Sequence, residues 1–406
     1  MAESRAETQS RREAAPWPKV RLGEICEIAL GKMLDQNKNK GILRRYLANV
    51  DVRWGSFDLD GVKEMPFLES ETARYSLRYG DIVMCEGGEP GRCAVWKDQE
   101  PLMMYQKALH RIRAKNTADN LFLYYYFLLL GKNNGFDCRM TGSTIKHLPR
   151  AQLLKLEVSL PSLPVQRAIA KRLSAYDNLI ENNRRRIAIL ERKAEQLYKE
   201  WFVRRRKSVE KASKESWCNY SIKELCHINH DTISAKASGS ILYLDTSSIT
   251  GNKIATLESY DLRSAPGRAR RKVKRNSIVY SIVRPNLKHH GIIKDAPANL
   301  IVSTGFAVLD AKHDIANVIY LFLSSQEVVD YCQMIAEGAV ATYPSIRPED
   351  IGKLKMALPS IAEAEKWNRE LEPLFTLASN LQRQNALLVK ERDLLLPRLM
   401  SGRLKP

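Results

Sequence analysis

At 406 residues with 44% apolar side chains, the chain is long enough for two or three domains with real cores and is not a disordered tail protein. A formal net charge of +19 and a pI near 9.6 point to a polyanionic partner, most often nucleic acid. Seven scattered cysteines, odd in number and without a CxxC pair, fit reduced cytosolic thiols rather than a disulfide framework.

Residues 1–16 carry mixed charge and no apolar core, which reads as a disordered tail and not as a secretory signal. A first globular domain is expected over 17–160. It opens with apolar–polar alternation around Val20, Leu22 and Ile25, and the polar, basic segment up to Arg45 reads as a loop. Strands are expected at 46–52, 55–59 and 80–84, and Gly87, Gly88, Pro90 and Gly91 form a loop returning the last of these to 93–96. The apolar run at 121–130 (LFLYYYFLLL) is about half the length of a membrane span, so a buried helix is predicted and the chain is expected to be cytoplasmic, with no membrane partner.

From 164 to 203 neither glycine nor proline follows Pro164, and a stripe recurs in alternating steps of four and three: Ile169, Leu173, Tyr176, Ile180, Asn183, Ile187, Leu190, Ala194, Leu197 and Trp201. That is a coiled-coil seam on a helix roughly 60 Å long, too long for the interior of one small domain. This spacer helix is assigned to 161–206, and the charged, serine-rich stretch 207–216 reads as a linker.

The second half repeats the order of the first at an offset of about 200 residues. Trp217 to Cys226 echoes Trp17 to Cys26, Asn276-Ser277-Ile278-Val279 echoes Gly80-Asp81-Ile82-Val83, and Leu-Pro-Ser closes both copies. A second domain is expected over 217–358, followed by a second spacer helix and tail over 359–406. Its seam is Trp367, Leu371, Leu374, Ala378, Leu381, Asn385, Leu388, Arg392, Leu395 and Leu399. Pro373 is expected to kink this helix or disturb its first turns, and Pro397 to end it. Set antiparallel with Ile169 opposite Leu399, the two stripes bring Asn183 opposite Asn385 and Tyr176 opposite Arg392. A polar layer in an apolar seam costs stability and fixes register. The fold class is therefore α+β, two duplicated globular domains each followed by a long helix, with the helices paired as an antiparallel coiled coil about a pseudo-twofold.

Motifs of catalysis are missing from the sequence: there is no Walker loop, G-x-G-x-x-G, H-E-x-x-H or G-x-S-x-G, and no Asn/Asp-Pro-Pro-aromatic hallmark of a methyltransferase. Cys226, His227 and His230 lie close together but lack a closing set of metal ligands. No metal and no cofactor is expected in this chain. The binding signal is stronger. Arg263, Arg268, Arg270, Arg271, Lys272, Lys274 and Arg275 fall in one acid-free stretch, and Lys32, Lys38, Lys40, Arg44 and Arg45 cluster in the comparable part of the first copy. Such cations on loops suit phosphate contacts, and arginine can also fork onto a guanine edge. Arg92, Lys146, Arg284 and Lys288 complete the candidate DNA-binding set. Arg184, Arg185 and Arg186, on the helix, are read as keeping that surface wet or meeting an acidic partner. Rival readings are a stand-alone methyltransferase or nuclease, and a coiled-coil scaffold for RNA or protein.

Taken in order, Gly80-Asp81-Ile82-Val83, Gly88 to Arg92, Gly142-Ser143-Thr144, and Leu160-Pro161-Ser162-Leu163-Pro164-Val165-Gln166 with Ile169-Ala170, then Leu358-Pro359-Ser360-Ile361 in the second copy, resemble the specificity subunits of type I restriction–modification systems. The resemblance implies two target-recognition domains, each reading one half of a split double-stranded DNA sequence, and a helix pair that spaces them. It implies methyltransferase (modification) subunits, two of them, docked on the helices and carrying S-adenosylmethionine, and a restriction subunit joined through them. Two departures stand out: Val165 where the family has an acid, and Ala364 where the first copy has Gln166. They bear on whether both helices grip the methyltransferase alike.

Overall fold

The protein is described by a computed structural model covering residues 17–35, 39–142, 146–204, 217–234, 238–338 and 344–406. The tail 1–16, the linker 207–216, Lys38, Ser143 and Thr144 lie outside the described residues. Two compact units are present, one made of Met1–Ile180 with Leu387–Pro406 and the other of Glu181–Ala386.

In the first unit the chain runs β1 (Lys19–Arg21), α1 (Leu22–Ile25), β2 (Cys26–Leu30), β3 (Ile42–Leu47), β4 (Val52–Arg53), β5 (Ser56–Phe57), β6 (Glu64–Phe67), α2 (Thr72–Tyr75), β7 (Ile82–Cys85), β8 (Cys93–Val95), β9 (Met104–Tyr105), β10 (Leu109–Ala114), α3 (Asn120–Lys132), α4 (Arg150–Leu154), β11 (Glu157–Ser159) and the start of α5 (Leu163–Tyr198). One sheet has the order β2-β10-β7-β8, a second has β6-β3-β9 with β3 and β9 parallel, and β1 pairs β11. The apolar run expected to be a buried helix is α3. Asp119 caps it by accepting from the Phe122 amide at 2.9 Å, and Phe122, Leu123, Tyr125 and Phe127 are buried.

The second unit repeats that order with β12 (Cys218–Ser221), α6 (Ile222–Leu225), β13 (Cys226–Ile228), β14 (Ser240–Leu244), β15 (Ile249–Thr250), β16 (Lys253–Ile254), β17 (Glu258–Asp261), β18 (Ala269–Lys272), β19 (Ile278–Ser281), β20 (His290–Ile292), β21 (Leu300–Ser303), β22 (Phe306–Ala311), α7 (Ala316–Leu323), α8 (Gln326–Glu337), α9 (Pro348–Lys353), β23 (Lys355–Leu358) and α10 (Ile361–Met400). Its sheets are β13-β22-β19-β20 and β17-β14-β21-β18, with β14 and β21 parallel, and β12 pairs β23. The duplication thus extends to strand order and to strand direction. It reaches the backbone as well: Gly80 and Asn276, which launch β7 and β19, both sit at positive φ, +87° and +68°.

Within each unit the two long helices pack antiparallel. In the first, Ile169 and Leu173 share a core with Leu396 and Leu399; in the second, Ile187 packs with Ala378 and Leu381. Trp201 stacks on Trp367 at 5.7 Å in the second unit, and the chain after Tyr198 winds into a π-helical turn, Lys199–Arg204. Three sequence expectations are corrected. Helix α10 is continuous through Pro373 and past Pro397, both of which are exposed, so the carbonyls they free can reach water and Leu399 packs from inside the helix. Phe375 and Leu396, rather than Leu374 and Leu395, are the more buried positions, because a helix of 3.6 residues per turn drifts off a strict 3.5 repeat. Residues 42–45, read as loop, belong to β3.

Candidate nucleic-acid interface

In the second unit the basic stretch is partly a strand. β18 is the outer strand of its sheet, bonded to β21 with an irregularity between Ala269 and Arg271. Ala269 points inward and is fully buried, while Arg268, Lys272 and Lys274 are exposed. Arg270 and Arg271 are half-buried, and burial pushes the Arg271 guanidinium pKa down. Lys272 faces Asp231 at 3.7 Å, and Arg275 turns to Glu372 of α10 at 2.7 Å. Arg263, Arg268, Arg270 and Lys274 have no ion pair among the described residues. Arg284 and Lys288 bracket the turn Pro285–Leu287, both at positive φ, +48° and +53°. Side chains rarely adopt that conformation unless held. Here Arg284 N donates to the Pro344 carbonyl and Lys288 Nζ to Gln326 of α8 at 2.8 Å.

The first unit is arranged differently. Lys32, expected to contact DNA, is instead buried, with its ammonium 2.6 Å from Glu71, 2.9 Å from the Pro66 carbonyl and 4.8 Å from the centre of the Phe67 ring. Lys32 is committed to the fold. Arg44 lies 3.4 Å from Glu69, and Arg45 is 2.5 Å from Glu100 and donates to the Leu59 carbonyl at 3.0 Å. Arg92 is clamped between Glu89 at 2.7 Å and the Asn49 carbonyl at 2.9 Å. It stands on the Gly87–Arg92 turn, where Gly91 has φ +92° and a Cβ would lie 2.6 Å from the Phe136 ring. Lys40 and Lys146 are exposed.

Buried polar pairs missed by the sequence reading hold these surfaces. Arg113 donates twice to Asp81, at 2.7 Å each, and Asp81 also accepts from the Arg78 amide. At the equivalent place Ser277 donates to Asp310 at 2.5 Å and accepts from the Lys274 amide. Gln166, fully buried, accepts from the Asp119 amide at 2.9 Å and donates to the carbonyls of Thr117 and Pro161. Ala364 has no such reach, but one turn further along Asn368 accepts from the Asn317 amide at 2.9 Å and donates to Asp314 at 3.0 Å. Gln166 and Asn368 therefore do one job, tying each long helix to the start of the domain helix beside it, and neither presents a side chain to an outside partner. Cys226, His227 and His230 part ways: burial pushes the Cys226 thiol up to about 12, and His230 sits 3.2 Å from Asp310. Among the described residues no group of three or more His, Cys, Asp or Glu could hold a metal ion, and no helix is long and apolar enough to cross a membrane.

Residues 15–192 match the profile of the type I restriction modification DNA specificity domain. That stretch is a little under half of the chain, and over it the chain carries a specificity domain of the type I restriction–modification kind. The chain is 26% identical over 365 residues to the type I restriction enzyme MjaIX specificity subunit of Methanocaldococcus jannaschii, covering 84% of this chain and 82% of that one. It is 26% identical over 160 residues to the HindI specificity subunit of Haemophilus influenzae, covering 39% of this chain and 35% of the relative. Among solved structures, the S subunit of a type I system from M. genitalium aligns over 96% of this chain and 97% of its own, with a TM-score of 0.58 and 15% identity, a likeness of fold.

Proposed function

We propose that this chain is the non-catalytic subunit that reads a bipartite double-stranded DNA target, one half-site per globular domain, and directs partner methyltransferase and restriction subunits to it. One observation carries the reading. The two domains share strand order and direction, yet their surfaces differ: the second adds the edge strand β18, with Arg270, Arg271 and the exposed Lys272, where the first, among the described residues, has only the Ser76–Met104 bridge. Same frame and different surface suit two half-sites of different sequence. Phosphate contacts set affinity and orientation, and a few contacts to base edges set choice.

The finer arrangement follows from the family. Two methyltransferase subunits bind along the helix pair, S-adenosylmethionine sits in them, the restriction subunit joins through them, and the assembly works in the cytoplasm. The residues proposed at the DNA are Lys40, Arg44, Arg45, Arg92 and Lys146 in the first domain, and Arg268, Arg270, Arg271, Lys272, Lys274, Arg284 and Lys288 in the second. The test is adenine methylation mapped across the host genome with and without this chain. A split motif that vanishes with the chain supports the reading; an unchanged methylation map overturns it.

A further inference from the structure

The two domains fill one slot in opposite ways. Beyond β21 on the side away from β14, the second domain places β18, which carries Arg270, Arg271 and Lys272 and is entered from Arg263 and Arg268. Beyond β9 on the side away from β3, the first domain places the segment after β6, where Ser76 bridges Met104 and, among the described residues, β18 has no counterpart strand. That segment carries the acids Glu69 and Glu71, which face Arg44 and Lys32. Glu100 and Glu89 neutralise Arg45 and Arg92 in the same way. In the second domain Arg263, Arg268 and Lys274 are exposed and unpaired with any acid among the described residues.

We infer that the two half-sites are held unequally: the second domain supplies most of the phosphate grip through β18 and the exposed cations flanking it, and the first domain binds through a surface whose arginines Arg44, Arg45 and Arg92 are already engaged, with Lys40 and Lys146 left exposed. The inference rests on the DNA-reading function proposed above. Counterion release counts only cations that reach phosphate. At about 0.1 M salt, charges beyond roughly 10 Å of the duplex are screened, so net charge alone does not decide the outcome.

The experiment uses the full chain assembled with its methyltransferase subunit and a duplex carrying its methylation motif. Binding is measured over a salt series for the unmodified chain, for Arg263→Gln/Arg268→Gln/Lys274→Gln, and for Arg44→Gln/Arg45→Gln/Arg92→Gln. Exposed second-domain positions keep folding intact, and circular dichroism checks all three proteins. The slope of log affinity against log salt is expected to fall by about 2 to 3 in the second-domain triple, at roughly 0.9 per phosphate contact, and by less than about 1 in the first-domain triple. Equal losses, or a larger loss in the first-domain triple, overturn the inequality and leave the DNA reading standing. An unmodified complex that ignores DNA, or binds it independently of salt, overturns the DNA reading and this inference with it.

Discussion

Asn183 Nδ2 donates to Asn385 Oδ1 at 3.0 Å and to Gln384 Oε1 at the same distance, within the second unit. Asn183 is fully buried, in the seam between apolar Ile180 and Ile187. The pairing is the one that the antiparallel register of the two stripes puts opposite. A buried polar layer weakens a helix pair and selects its alignment. Replacing Asn183 alone by Leu removes the donor to the half-buried Asn385 and to Gln384, and a loss of roughly 1 kcal/mol is expected. Replacing both by Leu should restore or raise the midpoint of urea unfolding. Additive losses in the double variant would contradict a coupled pair.

A second polar layer lies in the first unit. Arg392 donates to Asp177 at 2.5 Å and to Asp393 at 3.0 Å, and Tyr125 donates to Asp177 at 2.6 Å. Tyr176, placed opposite Arg392 by the stripe, yields to its neighbour Asp177 because the guanidinium seeks a carboxylate. Arg392→Met leaves a half-buried carboxylate without its cation, and a cost of about 3 kcal/mol is expected. Adding Asp177→Leu should recover much of it in thermal unfolding.

Gln166→Ala should destabilise the first unit by roughly 1–3 kcal/mol, since three backbone partners, the Pro161 carbonyl buried among them, lose their hydrogen bonds to a buried side chain. Asn368→Ala should do the same in the second unit. Hydrogen exchange reports each locally, near Thr117 to Phe122 in one variant and Asp314 to Val318 in the other. Because both side chains are buried, methyltransferase assembly with the refolded variants should be retained.

Acid should loosen the second unit. Burial alone would raise the Glu372 carboxyl, but hydrogen bonds from Asn317, Lys294 and Thr376 and the Lys294 charge hold it at about 2. A carboxylate depressed on folding adds stability above its unfolded pKa of about 4.5, and that stability is lost as pH falls towards 2. Allowing for its partial exposure, about 1–2 kcal/mol is at stake. His290 acts earlier: burial, with Lys288 and His289, lowers it from 6.5 to about 4, so protonation favours the unfolded chain from about pH 6.5 downward. In Glu372→Gln the decline below pH 4.5 should flatten, as read by denaturant titration at each pH.

Duplication, the long helices and their register were legible because each rests on periodic apolar residues that recur along the chain. The partners of the cations were not. Glu69, Glu71 and Glu100 lie far in sequence from Arg44, Lys32 and Arg45, and only strand pairing brings them together. Charge also concealed two strands: β3 carries Arg44 and Arg45, and β18 reads Ala-Arg-Arg-Lys, yet each is held by backbone bonds to its neighbours. The handover from Gln166 to Asn368 was hidden because the equivalent side chain moved by one helical turn.

The central claim, one half-site per domain, is tested most directly by exchanging residues 17–150 for those of a related specificity subunit and sequencing genomic adenine methylation. The account predicts a split motif in which one half changes and the other is retained. A motif altered in both halves, or in neither, would contradict it.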